Sequence, residues 1–400
     1  MREVVIVSPL RTPVGVFGGS LSGIKAEDLA AYVFRAVLDR TGIDPAILDD
    51  VILGCVAQPY DAANIARVAA LKAGVPFEVP GFTIQRNCAS GIQVITSAYQ
   101  AIQAGDGEVF LVGGSESMSN VPYTLKKARW GLRLRHTELS DGLWDALTDP
   151  VAGLIMGLTA ENLVEKYGIS REEMDKYAVE SHRRAAAAQA AGKFEEEIVP
   201  LEVTQRVRGQ KVKKVVDTDE GIKPDMTMEK AAQYPPVFKK GGTVTAANSC
   251  PINDGAAAML VTTAEKAAEL GLEPMARVVG YAYAGVDPAY MGIGPAYSVP
   301  KALKKTGLKL EDIGIIELNE AFAAQVIADD IELKRQGYEL DFERVNPNGG
   351  AIALGHPVGA TGSKLTATLL HEMRRSGVRY GMVTMCVGGG QGGTMIFERL

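Results

Sequence analysis

The sequence predicts an α/β protein built on a duplicated core. Three observations carry that reading: short apolar runs alternate with helical-period segments at both ends of the chain, glycines stand where helix C-caps belong, and two βα pieces recur in the same order.

At the N-terminal end the patterning predicts strands near Val4–Ser8, Val51–Cys55 and Val109–Val112, with helices near Glu27–Arg40, Ile65–Ala73 and Ala89–Ala104. Gly42, Gly74 and Gly105 follow those helices, where a left-handed cap suits glycine. At the C-terminal end it predicts strands near Arg277–Tyr283, Ile315–Leu318, Tyr380–Cys386 and Thr394–Phe397, and helices near Lys301–Lys305, Ala321–Lys334 and Ala360–Arg375. Thr41–Val56 aligns without a gap on Thr306–Ala321, pairing Ile43 with Leu308, Leu48 with Ile313, Val51 with Ile316 and Leu53 with Leu318. Glu108–Gly114 and Tyr380–Gly389 match as a strand running into paired glycines. Two matches in the same order favour an internal duplication.

The stretch between differs in texture, with basic clusters at Lys126–Arg135 and Arg206–Lys214, an alanine-rich helix at Ser181–Ala191, and Pro224, Pro235 and Pro236. The expected division is a first core half at 1–118, an insertion at 119–250 whose end strand rejoins that half from about 243, and a second core half at 271–400.

Composition excludes several classes. Forty-two basic against 48 acidic residues, a net charge of −6, lacks the cationic excess of a nucleic-acid binder. No apolar run approaches the roughly 18 residues of a membrane span, and the N-terminus enters a strand-like Val4-Val5-Ile6-Val7 rather than a signal sequence, so a cytoplasmic protein without a membrane partner is expected. Four cysteines and four histidines show no zinc-type spacing, so neither a metal site nor a disulfide framework is indicated.

Four segments can carry chemistry. Cys88 follows an extended Gly81–Arg86 and opens a long helix, whose unpaired N–H groups favour thiolate over thiol. The inert alternative fits Cys55, which sits among Val51, Ile52, Leu53 and Val56. His356 stands in the glycine-rich turn Gly355–Gly362, which lacks the Lys-Ser/Thr of a P-loop and offers an activator for a cysteine. Cys386 ends a strand just before Gly388, Gly389 and Gly390, whose N–H groups can face an oxyanion. Asn319 lies where a strand enters a helix and reads either as an N-cap or as an oxyanion or water ligand.

Taken together, Asn87-Cys88-x-Ser90-Gly91, Asn319-Glu320-Ala321-Phe322-Ala323, Gly355-His356-Pro357-x-Gly359 and Cys386-x-Gly388-Gly389-Gly390-x-Gly392 resemble the thiolase family in type, order and separation. The resemblance extends through Val5–Pro13, Phe17–Gly19, Met156–Asn162, Thr243–Asn248, Asn253–Ala257 and Met291–Pro295. It implies duplicated βαβαβαββ halves in an α/β/α/β/α sandwich, an inserted loop domain that binds coenzyme A, and a homodimer or homotetramer. It implies coenzyme A and acyl-CoA as substrates, with no permanently bound cofactor.

By the same resemblance Cys88 takes the acyl group, His356 activates it, and Cys386 removes a proton from the methyl of acetyl-CoA. His356 Nε2 and a water on Asn319 would form one oxyanion hole, and the N–H groups of Cys88 and Gly388 the other. Met156, Lys223, Ala246, Cys250, Met291 and Phe322 fall where the family contacts CoA or the acyl chain. Ile155 stands where acetoacetyl-CoA-forming members commonly have histidine, and the Asp141–Leu154 stretch before it is longer by a few residues. A broad-range 3-ketoacyl-CoA thiolase is therefore expected, the alternative being an acetoacetyl-CoA-specific acetyltransferase. A ketoacyl synthase, a cysteine protease and a non-catalytic acyl-CoA-binding relative each leave part of this set unexplained.

Overall fold

The computed structural model describes residues 2–207 and 210–400. Of the basic cluster at Arg206–Lys214, Arg208 and Gly209 therefore lie outside the described residues. Among the described residues one mixed sheet has ten strands, nine along one path and the two-residue Gly15–Val16 paired beside it with Asn253 and Asp254. In the first half the order from the edge is Gly81–Ile84, Asp50–Gly54, Val109–Ser117, Asn253–Thr263 and Val4–Arg11. The sheet continues through Ala276–Gly285, Gln391–Arg399, Tyr380–Val387 and Ile313–Leu318. Asp50–Gly54 runs parallel to both of its neighbours, and Ile313–Leu318 is parallel to Tyr380–Val387. The seam between the halves is narrow, because Val4–Arg11 pairs with Ala276–Gly285 only at Val5↔Arg277 and Ile6↔Ala276.

Burial divides the helices into layers. Helices Ala26–Thr41 and Ile65–Ala73 set Leu29, Phe34, Val37 and Ala70 against Leu53, Leu111 and Leu260 on one outer face. Helices Gly294–Thr306 and Ala323–Arg335 set Val299, Leu303 and Leu333 against Ile316, Leu318, Met382 and Ile396 on the other. Between the half-sheets lie Ser90–Ala104 and Thr361–Ser376, whose Ile92, Ile95, Leu365 and Leu369 pack with Ile52, Val112 and Val261 of the first half and with Val383, Met385 and Phe397 of the second. A helix covered all round is buried from every side, and every residue from Thr361 to Met373 is buried. The expected α/β/α/β/α layering is the observed one.

Glycine sets the spacing of the two middle helices. A Cβ on Gly91 would stand 2.4 Å from the Ser363 nitrogen, and one on Gly362 would stand 2.4 Å from the Ile92 nitrogen. The helices that begin just after Cys88 and His356 thus cross backbone against backbone. That crossing draws the two motifs together.

The first repeat has the same local structure twice: Gly42 and Gly307 cap helices at φ 66° and 73°, 3₁₀ turns follow at Pro45–Ile47 and Leu310–Asp312, and strands follow those. The second match holds strand for strand but not glycine for glycine. Leu53 pairs with Gly113 and Leu318 with Thr384, so Gly113 corresponds to Thr384, and Gly388 lies beyond the strand in a turn. Cys55, expected mid-strand, sits one residue past the strand's end and is fully buried.

Within 119–250 the chain forms helices Met156–Tyr167 and Arg171–Ala190 and the hairpin Leu201–Val207/Gln210–Val216. No strand covers 243–250; the next one is Asn253–Thr263, buried along its whole length. Among the described residues no helix is long and apolar enough to cross a membrane.

Candidate active site

The approach to Cys88 is a sharp turn. Asn87 has φ 41°, in the left-handed region that asparagine tolerates better than most residues. Its side-chain amide donates to the Gly388 carbonyl at 2.8 Å, while Ser90 Oγ donates to the Asn87 carbonyl at 2.7 Å. The helix starts at Ser90 with Ala89 as its cap, so Cys88 sits just before the helix rather than in its first turn. It opens into a cleft of about 400 Å³ lined also by Met118, Leu143, Leu147, Met156, Val358 and Gly388.

The expectation of a stabilised thiolate is corrected here. Burial pushes the Cys88 thiol up to about 11, against the downward pull of the Gly388 and Cys88 backbones. Desolvation outweighs the helix start, and the resting group is a thiol that needs a base.

His356 is held at three points. Its backbone N–H donates to Asn253 Oδ1 at 2.9 Å, its Nδ1 lies 2.5 Å from Thr361 Oγ1, and its Nε2 lies 3.4 Å from Asn319 Nδ2. Burial first, and then the Lys364 cation, lower its pKa to about 3, so the ring is neutral. Gly355, just before it, has φ 86° and no room for a Cβ, which would meet the Asn253 amide at 2.7 Å. Hence the glycine in this motif.

Asn319 is not a helix cap. The helix begins at Ala323 with Phe322 in the cap position, and Asn319 instead turns its amide to His356. Its N–H donates to the Thr384 carbonyl at 3.0 Å, and its Oδ1 is buried without a partner. Its neighbour Glu320 is fully engaged, accepting from Tyr177 (2.9 Å), Ser181 (2.7 Å), Asn346 (2.9 Å) and the Ile352 N–H (3.1 Å). That clamp immobilises the strand end from which Asn319 projects.

Cys386 is the penultimate residue of the Tyr380–Val387 strand, wholly buried, and packs in one cluster with Met291, Phe322 and Met156. Burial raises its thiol well above the ordinary value, and any negative charge on the neighbouring Cys88, Asp329 or Cys250 raises it further. Cys250 is pushed up to about 12 by burial and by Cys88, and its N–H donates to the Ala321 carbonyl at 3.0 Å. Three thiols thus share one neighbourhood. Of the expected coenzyme A and acyl contacts only Met156 lines this cleft; Cys250, Met291, Phe322, Lys223 and Ala246 do not, and Lys223 and Ala246 are exposed, the Lys223 ammonium standing 5.5 Å from the Tyr234 ring centroid.

Several residues escaped the sequence reading. Glu116, buried in the cleft wall, accepts from the N–H groups of Val56 (3.0 Å), Ala57 (2.9 Å) and Gly359 (2.8 Å), joining the first half to the histidine loop. A lone carboxylate continuing the apolar Val109–Val112 run was the available signal. The Asp141–Leu154 stretch folds into a helix at Gly142–Ala146 and a two-residue strand pair, Thr148–Asp149 with Leu154–Ile155. It puts Leu143, Ala146, Leu147 and Val151 into the cleft wall, which nothing in its composition announced.

An acyl-transfer site assembled from two duplicated halves is what this fold defines. The family model for the thiolase N-terminal domain matches residues 4–265, and that for the thiolase C-terminal domain matches residues 272–399. The chain is 49% identical to an acetyl-CoA acetyltransferase of Pseudomonas aeruginosa over 100% of both chains. The acetyl-CoA acetyltransferase of Bacillus anthracis superposes with a TM-score of 0.95 at 48% identity, covering 100% of this chain and 99% of that one. Human mitochondrial 3-ketoacyl-CoA thiolase in complex with CoA gives 0.94 at 43%, covering 100% and 98%. The chain belongs to the thiolase family, and it is an acyltransferase.

Proposed function

We propose that the chain catalyses reversible, CoA-dependent thiolysis of 3-ketoacyl-CoA through an acyl group on Cys88, with a range reaching beyond four carbons. The observation that carries this is a half-buried Cys88 at an apolar cleft to which Val358, from the loop of His356, also contributes, with burial raising the thiol's pKa and lowering that of the imidazole.

The resting protonation states suit thiolysis as written. His356 Nε2 takes the Cys88 proton as sulfur attacks the 3-keto carbon, and the tetrahedral oxygen is received by the N–H groups of Cys88 and Gly388. The carbon–carbon bond breaks and releases an acetyl-CoA enolate, whose oxygen meets the Nε2–H of the imidazolium and a water on Asn319 Oδ1. Cys386, a thiol when buried, gives its proton to the enolate carbon and becomes thiolate. Coenzyme A then attacks the acyl-Cys88 thioester, its proton passing to Cys386 while Cys88 recovers its own from His356. Run backwards, the same transfers condense two acyl-CoA molecules.

Leu143, Leu147 and Val151, with Met118 and Met156, offer the acyl chain an apolar wall, and Met291 and Phe322 pack behind Cys386. We assign coenzyme A binding to the 119–250 insertion, with Lys223, Ala246 and Cys250 as its contacts. The assembly is a homodimer or homotetramer: edge strand Gly81–Ile84 exposes Phe82, and Phe77 and Trp130 are exposed nearby in sequence and on the basic stretch respectively. A cytoplasmic location suits four free cysteines.

Thiolysis of acetoacetyl-CoA and of six- and eight-carbon 3-ketoacyl-CoAs at fixed coenzyme A tests this reading. Comparable kcat/KM across the series is the expected result. A steep fall from four to six carbons identifies an acetoacetyl-CoA-specific enzyme, and absence of thiolysis on all of them overturns the reading.

A further inference from the structure

We propose that Thr361 is the positioning residue of His356, its hydroxyl accepting the Nδ1–H and so holding the ring in the tautomer whose Nε2 lone pair is free. The inference rests on the base role given to His356 above.

Thr361 Oγ1 lies 2.5 Å from His356 Nδ1 and 3.0 Å from the Pro357 carbonyl. A carbonyl can only accept, so the hydroxyl proton points to Pro357 and the Thr361 oxygen faces the ring as an acceptor. Nδ1 must then carry the hydrogen. On the opposite edge of the ring, Asn319 presents its Nδ2 donor to Nε2 at 3.4 Å, which asks for a lone pair there. Both edges therefore demand the same tautomer. The Thr361 hydroxyl is itself kept in place because it belongs to the first residue of a helix buried on all sides, and the Pro357 carbonyl is fixed by the Ala360 N–H at 2.8 Å.

The surroundings make this contact matter. His356 is 5% exposed, so no bulk water stands ready to replace a lost partner. When the Cys88 S–H bond breaks and an Nε2–H bond forms, the electron pair stays on sulfur and the ring becomes a cation. Burial and the Lys364 ammonium both oppose that cation. The hydrogen bond from Nδ1–H to Thr361 strengthens as the ring gains charge. Thr361 thus selects the tautomer with a free Nε2 before transfer and stabilises the imidazolium after it, and it keeps Nδ1 protonated throughout.

The test uses the full-length enzyme labelled with ¹⁵N in its four histidines, the His356 signals being assigned by their loss in His356→Gln. Wild type should show Nδ1 protonated and Nε2 free. Thr361→Val, close to the same shape without the hydroxyl, leaves only the 3.4 Å Asn319 contact to bias the ring, so it should weaken that preference and lower kcat by on the order of 10–100-fold, the range found when a histidine's outer partner is removed. KM should hardly move, because Thr361 does not line the cleft. Thr361→Ser keeps the hydroxyl and should recover both tautomer and kcat, and it stands in should the valine variant fail to fold: a serine variant with the Nδ1–H lost overturns the proposal. So does a folded Thr361→Val with an unchanged tautomer, whatever its kcat. Failure of the base role reads differently, as activity surviving in His356→Ala.

Discussion

Asn87 donates its side-chain amide to the carbonyl of Gly388 at 2.8 Å, across a separation of 301 residues. One hydrogen bond thereby ties the turn that carries Cys88 to the turn that follows Cys386, and it holds the halves of the site in register. Asn87→Ala should lose the tie and also force alanine into the left-handed region, which costs about 1–2 kcal/mol. Asn87→Gly relieves the backbone and still lacks the amide. Both variants should lower kcat, with only the alanine variant also showing a clearly lower urea midpoint. Wild-type kcat in Asn87→Gly would show that the register is kept by other contacts.

Acetyl-CoA without an acceptor should leave one acetyl group on Cys88, located by peptide mass spectrometry. Cys386→Ser should still take that label and lose condensation, since a hydroxyl is a far poorer proton carrier than a thiol. Cys88→Ser should lose both. Label on Cys386 or Cys250 with Cys88 free would refute the assignment.

The pH response follows from the raised thiol. A group lifted to about 11 releases its proton only as the pH climbs toward that value, so thiolate at Cys88 is scarce near neutrality and grows with pH. Alkylation of the free enzyme by iodoacetamide should therefore keep rising between about pH 7 and 10, past the point where a thiol of ordinary pKa ≈ 8.5 begins to level off. A plateau reached in mildly acidic solution would instead reveal a preformed thiolate–imidazolium pair.

The wall segment makes a size prediction. Leu147 lines the cleft beside Met156, so Leu147→Trp should shrink the acyl site and depress kcat/KM for eight-carbon substrates more than for four-carbon ones. Each methylene an apolar pocket accepts contributes roughly 1–3 kcal/mol to selectivity, so the ratio should change at least tenfold. An unchanged ratio would place the acyl chain along another wall.

Much of this was legible in residue order. Helix ends announced themselves through Gly42, Gly74 and Gly105, each left-handed in the structure, because that conformation discriminates strongly for glycine. Cys88, His356 and Cys386 stood out because reactive side chains beside small residues and glycines have few packing explanations, whereas Asn319, which also reads as a helix cap, was singled out by the resemblance to the thiolase family. Asn253–Thr263 was less visible: with both faces buried, its Asn-Asp-Gly-Ala-Ala-Ala start has neither alternation nor branched residues. Glu116 acts through Gly359, 243 residues on, and Thr361 through His356 in the loop before its helix, and only coordinates reveal such pairings. The thiol at Cys88 shows the same limit, since helix position argued one way and burial, unknowable from local sequence, argued more strongly the other.

The shared middle layer constrains how this chain is made. Ile52, Val112 and Val261 wait on Leu365, Leu369 and Met373 for their cover, yet about a hundred residues separate the last of the first-half strands from that helix. During synthesis the first half therefore leaves the ribosome with one side of its sheet only partly covered, by Ser90–Ala104 alone. The seam at Val5 and Ile6 also stays an open strand edge until Ala276–Gly285 follows. Such a nascent chain is open to aggregation on a face and on an edge at once, and how long it stays so is set by the order in which its layers are encoded.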